Sequence, residues 1–187
     1  MRHIWFVVLR GCAALLGLGL VLTACGSGTT LEWQRQATPS GTFSVEFPGE
    51  PVPSSEEIPG TDLIAHLLMV EIGEDAYGIV ELDLDEDTAF DLDGAVEGAI
   101  ASAGDSLAEE AGVSSDQVTA TETSRVTEEF EGSETRRYSA ELRAGDRVAE
   151  LTSIVFVRGR TVVQIMAIDT GDNAEVVKRF LDSLQLN

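Results

Sequence analysis

Apolar and polar positions alternate through Phe43, Ser44, Val45, Glu46 and Phe47, and the alternation stops at Pro48-Gly49. A period of two places one set of side chains on a single face, so the pattern predicts a short half-buried strand followed by a turn. Two further strands are predicted over Thr61 to Val70 and Ala76 to Leu82, with a turn at Gly73-Glu74-Asp75 between them. The period then lengthens. Leu92, Ala95, Val96, Ala99, Ala103 and Leu107 recur three or four residues apart, the spacing of an amphipathic helix. Asp91 and Asp93 stand at its start, where the positive end of the helix dipole favours acids. Residues 108–117 read as helix fraying into loop.

A strand over Val118 to Phe130 comes next, with a Thr- and Glu-rich pattern, and then three strands in succession. Thr135 to Leu142 is separated by Ala144-Gly145-Asp146 from Arg147 to Val157, and Arg158-Gly159-Arg160 leads into Thr161 to Ile168. A last helix begins after Thr170-Gly171-Asp172, with Val176, Val177, Phe180, Leu181 and Leu184 inward. Ile154 to Val157 and Val162 to Ile168 are apolar on both alternating sets, so these strands are expected to be covered on both faces. Connections of hairpin length imply antiparallel pairing. The expected class is α+β: an antiparallel sheet of about six or seven strands covered by helices on both faces.

The N-terminal segment breaks the pattern. Arg2 and Arg10 supply positive charge, and Gly11 to Ala24 is uncharged and rich in Leu, Ala and Gly. That length suits the hydrophobic region of a signal peptide and is short for a membrane span of about 20 apolar residues. Counted back to Ile4 it would reach the length of a span. Its end decides the reading: Leu22-Thr23-Ala24-Cys25-Gly26 resembles the bacterial lipobox, an aliphatic residue and two small ones before the Cys that becomes the new N-terminus. The resemblance implies acylation of Cys25 and loss of residues 1–24. Several acyl chains anchor stably where one does not, at about 0.8 kcal/mol per buried CH₂. Residues 25–40 then carry the lipidated Cys and a tether opened by Gly26-Ser27-Gly28-Thr29-Thr30, and 41–187 form the domain. The expected location is the outer face of the bacterial cytoplasmic membrane.

Composition narrows the classes. The chain of 187 residues is 43% hydrophobic and 24% charged, a globular composition. Its net charge of -21 excludes a nucleic-acid binder that works by phosphate neutralisation, which needs a clustered basic surface. Two Cys and two His are too few for zinc-finger, iron–sulfur or disulfide-framework designs. Processing would remove Cys12 and His3, leaving Cys25 to the lipid and His66 as the single histidine. The charge is also uneven: from Gln36 to Ser124 there are 21 acids and no Lys or Arg, whereas from Arg125 onward 9 bases meet 11 acids. An acidic solvated surface accounts for this, and a docking face for a cationic partner or divalent ions is the sharper alternative.

The order of elements resembles the PsbP-like group, the superfamily shared with the Ran-binding protein Mog, and among bacterial members the actinobacterial lipoproteins of LpqN type. The stretches that carry the resemblance are Gly41-Thr42-Phe43-Ser44-Val45-Glu46-Phe47-Pro48-Gly49-Glu50-Pro51 and Phe180-Leu181-Asp182-Ser183-Leu184-Gln185-Leu186. Between them lie Tyr77-Gly78-Ile79-Val80 and Thr135-Arg136-Arg137-Tyr138. The resemblance spans Phe43 to Leu186 and implies an α/β/α sandwich, no enzymatic activity, no cofactor, and an accessory or scaffold role in binding other proteins. Asp105 to Glu122 departs from it, being longer and more polar than the usual connection.

Candidate chemistry is sparse. Asp83, Asp85, Asp87, Asp91 and Asp93 suggest calcium, but an EF-hand loop needs Gly at its sixth position and Glu at its twelfth. Counted from Asp83 those positions hold Thr88 and Gly94, so Asp83, Asp85 and Asp87 remain candidates only for a looser site. His66 shares a strand face with Ile64, Leu68 and Val70 and reads as a hydrogen-bonded histidine at the core edge. No triad partner or phosphate loop is found by spacing, so no catalytic residue is assigned. Arg136, Arg137, Arg143, Arg147, Arg158 and Arg160 gather on one hairpin system, where cross-strand ion pairs are expected. A basic end opposite an acidic one, orienting the domain on a partner, is the alternative. The expected function is a lipid-anchored, non-enzymatic scaffold binding cell-envelope proteins. A carrier of a lipid or small apolar ligand comes second, its pocket lined by strands 154–168, and an envelope hydrolase using carboxylates comes third.

Overall fold

Residues 31–58, 61–85, 88–171 and 173–187 are described by the computed structural model. The strands are β1 (Gln34–Ala37), β2 (Phe43–Phe47), β3 (Val52–Glu57), β4 (Ile64–Ile72) and β5 (Asp75–Asp83). Helix α1 (Leu92–Ala111) and a 3₁₀ turn (Ser115–Gln117) follow, then β6 (Val118–Phe130), β7 (Ser133–Ala144), β8 (Arg147–Arg158) and β9 (Thr161–Asp169). Helix α2 (Ala174–Asp182) and a short β10 (Gln185–Leu186) end the chain.

All strand pairs are antiparallel. Seven strands form one sheet in the order β3-β4-β5-β9-β8-β7-β6, and β1-β2-β10 form a smaller one. Two-residue connections join the long strands. At Glu131-Gly132 both φ angles are positive, 50° and 79°, between the paired residues Phe130 and Ser133. That conformation matches the right-handed twist of the flanking strands, and glycine adopts it without a Cβ clash.

The alternating apolar sets of the large sheet feed two cores. On one face Val80, Leu82, Tyr138, Leu142, Leu151 and Met166 pack with Val96, Ala99, Ile100 and Ala103 of α1. On the other, Tyr77, Ile79, Ile154, Phe156 and Ile165 pack with Phe180 and Leu181 of α2 and with Phe43, Val45 and Phe47 of β2. Strand β9 shows the division directly, with Val162 and Met166 in the first core and Val163 and Ile165 in the second. The double-sided apolar runs at 154–157 and 162–168 are therefore core on both sides. Phe180 sits at the centre of the second core, its ring 5.2 Å from Phe47 and 5.4 Å from Tyr77. In the first core the buried Gln164 amide donates to the Tyr138 hydroxyl at 2.8 Å and to Ser153 Oγ at 3.2 Å. Burial raises the Tyr138 phenol above its ordinary value.

Several expectations change. The fold is mostly sheet with two helices, and the expected helical cover gives way on one face to the three-stranded sheet, which shares the second core with α2. The domain begins before residue 41, because Gln34–Ala37 pair with Ser44–Phe47 and Trp33 packs on the second core. Thr61 lies in a turn and not in β4: its hydroxyl donates to the Ile58 carbonyl and its backbone N–H also reaches that oxygen. Helix α1 continues to Ala111, where Gly112 at φ 67° donates back to Ala108 and Glu109, so the frayed stretch expected from 108 starts four residues later.

Candidate functional site

The two edges of the large sheet are built differently. Edge strand β3 is short, carries Pro53, and so lacks a backbone donor near its start. Edge strand β6 is 13 residues long, has no proline, and is broken only by a register shift between Glu122 and Ser124. Natural sheets protect their edges with short strands, proline, bulges or charge. From Ser124 to Phe130 the pairing of β6 with β7 runs without interruption, and five of the seven β6 side chains in that run are exposed, Arg125 and Phe130 being half-buried.

The sheet face beside this edge is also open. Helix α2 and the small sheet lie over β4, β5, β8 and β9; at the β6–β7 tip Thr135 is buried beside Phe156 and Phe130 packs on their core, and beyond that tip no apolar β7 side chain joins it. Ser124, Ser139 and Thr152 form a polar row across β6, β7 and β8, with Ser139 Oγ 3.3 Å from Thr152 Oγ1. Val126 stands beside it, 53% exposed. At one end Glu150 and Asp169 are direct neighbours on β8 and β9 and line a cleft of about 260 Å³ with Arg137, Val177 and Leu181.

The arginines expected on this hairpin system are all engaged. Arg137 Nε donates to Glu128 at 2.8 Å across the β6–β7 pair, and Arg143 Nε to Glu141 at 2.6 Å along β7. Arg147 reaches Glu110 of α1 at 3.0 Å. Arg158 and Arg160 donate to backbone carbonyls, of Glu131 at 2.9 Å and Leu84 at 2.7 Å. Arg136 and Arg125 converge on Asp93 at the start of α1, at 2.9 and 3.0 Å. Their hydrogen bonds, Arg136's first, hold the Asp93 carboxyl below the usual carboxylate range, and Arg143 does the same to Glu141. Among the described residues, local pairing on this scale leaves no free basic end, and exposed pairs of this kind are weakened by solvent and salt.

The acids grouped by sequence are separated. Asp83 accepts from the Thr161 hydroxyl at 2.7 Å, Asp91 caps α1 through the N–H of Asp93 at 3.1 Å, and Asp93 faces its two arginines. Asp85 accepts from the N–H of Thr88 through its carbonyl, and Asp87 lies outside the described residues. Among the described residues no three His, Cys, Asp or Glu side chains converge on a metal position. Cys25 and the segment 1–24 also lie outside the described residues, and no described helix is long and apolar enough to cross a membrane. His66 Nδ1 is 2.9 Å from Ser55 Oγ across β3–β4, which makes it the hydrogen-bonded edge histidine expected.

Two buried acids were not singled out by sequence. Glu81 is 3% exposed and accepts from the backbone N–H and the hydroxyl of Ser40. Asp75, read as a turn residue, is 7% exposed and accepts from the N–H and hydroxyl of Thr170 and from the Asn173 amide. No local signal marks either, since their donors come from distant segments. Both fasten loops, and neither stands in a catalytic constellation.

No protein-family model matches the chain, and no curated protein matches it. Among solved structures it is similar to the cyanobacterial PsbP of Synechocystis sp. PCC 6803, at 13% identity and a TM-score of 0.55, over 89% of this chain and 99% of that one. A Pseudomonas aeruginosa protein of unknown function, described as a putative regulator, aligns at 11% identity over 74% of this chain and 83% of its own, with a TM-score of 0.38 that carries no argument. A seven-stranded antiparallel sheet with two helices, matched over nearly its whole length by that cyanobacterial structure, makes the fold PsbP-like.

Proposed function

We propose that this chain is an exported lipoprotein of LpqN type, held by an acylated Cys25 at the outer face of the cytoplasmic membrane, whose domain binds other cell-envelope proteins without catalysing a reaction. The observation that carries the binding role is the free edge of the large sheet at β6 with the adjoining face around Ser124, Val126 and Ser139, next to a packed second core. A sheet face that neither helix nor strand covers is available to a second molecule. The carrier reading draws no support from strands 154–168, whose apolar side chains are consumed in the two cores. The lipobox at Leu22–Cys25 supports the anchor, and the Gly- and Ser-containing stretch behind it supports a tether.

The test is crosslinking of the full-length protein in cells, followed by affinity capture, with Cys25→Ser as the control. The expected result is a recurrent envelope protein that depends on the anchor, and loss of acyl labelling in Cys25→Ser. Acyl labelling that survives the substitution removes the lipoprotein assignment. Absence of any protein partner, with stoichiometric lipid in an organic extract, replaces the binding role with the carrier.

A further inference from the structure

We infer that the β6 edge from Ser124 to Phe130 receives an extended, lysine- or arginine-bearing segment of a partner protein as an eighth strand of the large sheet, an inference that rests on the protein-binding role proposed above. An edge strand presents backbone N–H and C=O groups on its outer side, and an added strand satisfies them at fixed spacing while its side chains confer specificity. The uninterrupted run Ser124–Phe130 is long enough to hold such a strand, and it lacks the proline that blunts β3 at the opposite edge.

Charge identifies the occupant. Glu128, Glu129, Glu131 and Glu134 crowd the β6–β7 tip. Arg136 and Arg137 offset Glu134 and Glu128, whereas Glu129 and Glu131 have no ion-pair partner among the described residues. The one base on β6, Arg125, turns inward to Glu122 and Asp93. The outer side of this edge is therefore acidic, on a chain of net charge -21. A second copy would bring like charges together, so a cationic strand is the complementary occupant. Val126, 53% exposed between Glu128 and Ser124 on one face, offers an apolar contact to alternate residues of such a strand.

The probes are a short synthetic peptide alternating Lys and Val, its Glu–Val counterpart, and a Gly/Ser-rich peptide of the same positive charge. Amide exchange of the folded protein is read by NMR with each. The Lys–Val peptide is expected to slow exchange at alternate residues within Ser124–Phe130, with neither of the other peptides doing so. The double variant Glu128→Lys, Glu129→Lys is expected to weaken that binding about tenfold or more at low salt. Equal binding of the flexible peptide, or protection elsewhere, overturns strand addition.

A photocrosslinking residue placed at Thr127, and separately at the exposed Glu109 near the end of α1 and at Val52 on β3, separates this inference from the role beneath it. Adducts from Thr127 that map to a Lys- or Arg-rich partner segment support the inference. Adducts only from Glu109 or Val52 overturn it while the binding role stands, and adducts to a second copy of the chain overturn the cationic occupant. No protein adduct from any position ends both.

Discussion

Glu81 accepts the backbone N–H of Ser40 at 3.0 Å and its hydroxyl at 2.8 Å, one carboxylate oxygen to each. Glu81 lies on β5 in the large sheet, and Ser40 lies in the turn between β1 and β2 of the small one, 41 residues away. This buried carboxylate therefore clasps one sheet onto the other. Glu81→Ala leaves the Ser40 donors without their acceptor and is expected to cost about 1–3 kcal/mol. Ser40→Ala, which keeps the backbone donor, is expected to cost less. Urea denaturation measures both, and equal losses from the two variants would contradict a clasp made through both oxygens.

Asp75 performs the corresponding task at the other end of β5. Its Oδ1 accepts from the N–H and hydroxyl of Thr170 at 2.9 and 3.0 Å, and its Oδ2 from Asn173 at 2.7 Å, fixing the entry into α2. Burial first, and then the Asp75 and Asp169 carboxylates, push the Tyr77 phenol up to about 12. A phenol with a raised value stabilises the fold fully below the free tyrosine value of about 10, and that contribution falls as pH rises toward 12. Asp75→Asn is expected to lower the Tyr77 value while leaving it above 10, because burial is the larger cause. Ultraviolet titration of the phenolate checks this, and an unchanged curve would show that Asp75 has no electrostatic hold on Tyr77.

These clasps mark the boundary of what sequence reading reaches. Strands β4, β5, β7, β8 and β9 and both helices are legible because their own side chains carry the period. Strands β1 and β3 are not: Gln34-Arg35-Gln36-Ala37 and Val52-Pro53-Ser54-Ser55-Glu56-Glu57 have almost no apolar alternation. They are strands because β2 and β4 offer them backbone partners, and nothing local records that. Asp75 and Glu81 fail to stand out for the same reason, one among 33 acids in each case until their donors are placed. The open edge is a half-way case. Val118–Phe130 reads as a strand, but its exposure follows from its place at the end of the sheet order.

Asp93 meets acid conditions with two arginines against it. Its carboxyl lies below the ordinary value through Arg136 and Arg125. A depressed carboxyl contributes stability above the unfolded value of about 3.9 and loses it as pH falls through the folded value. Arg136→Ala is expected to raise the Asp93 value more than Arg125→Ala, in the order of their contributions. Carbon-detected NMR titration of the side chain reads this directly. High salt is expected to move the wild-type value in the same direction, since the side chain is 53% exposed and its pairs are screened.

The N-terminal end of the domain is secured by Arg179. Its guanidinium carbon lies 4.0 Å from the centre of the Trp33 ring, while Nε and Nη2 donate to Glu46 Oε2 at 3.2 and 3.0 Å. A planar cation stacks on an aromatic face and binds a carboxylate at its edge simultaneously, which lysine cannot do. Arg35 donates to the other Glu46 oxygen at 3.2 Å and to the Ser183 carbonyl at 3.2 Å, so β1, β2 and the end of α2 share one polar seam. Arg179→Ala is expected to cost about 0.5–1 kcal/mol for the exposed stack. It is also expected to raise the Glu46 value, which Arg179 holds low more than Arg35 does. In the processed form proposed here Trp33 is the sole tryptophan, so its fluorescence reports on this seam alone. Greater acrylamide quenching in both Arg179→Ala and Arg179→Lys is the expected outcome. Quenching that lysine restores to the wild-type level would show that charge alone, and not the stacked plane, holds β1 in place.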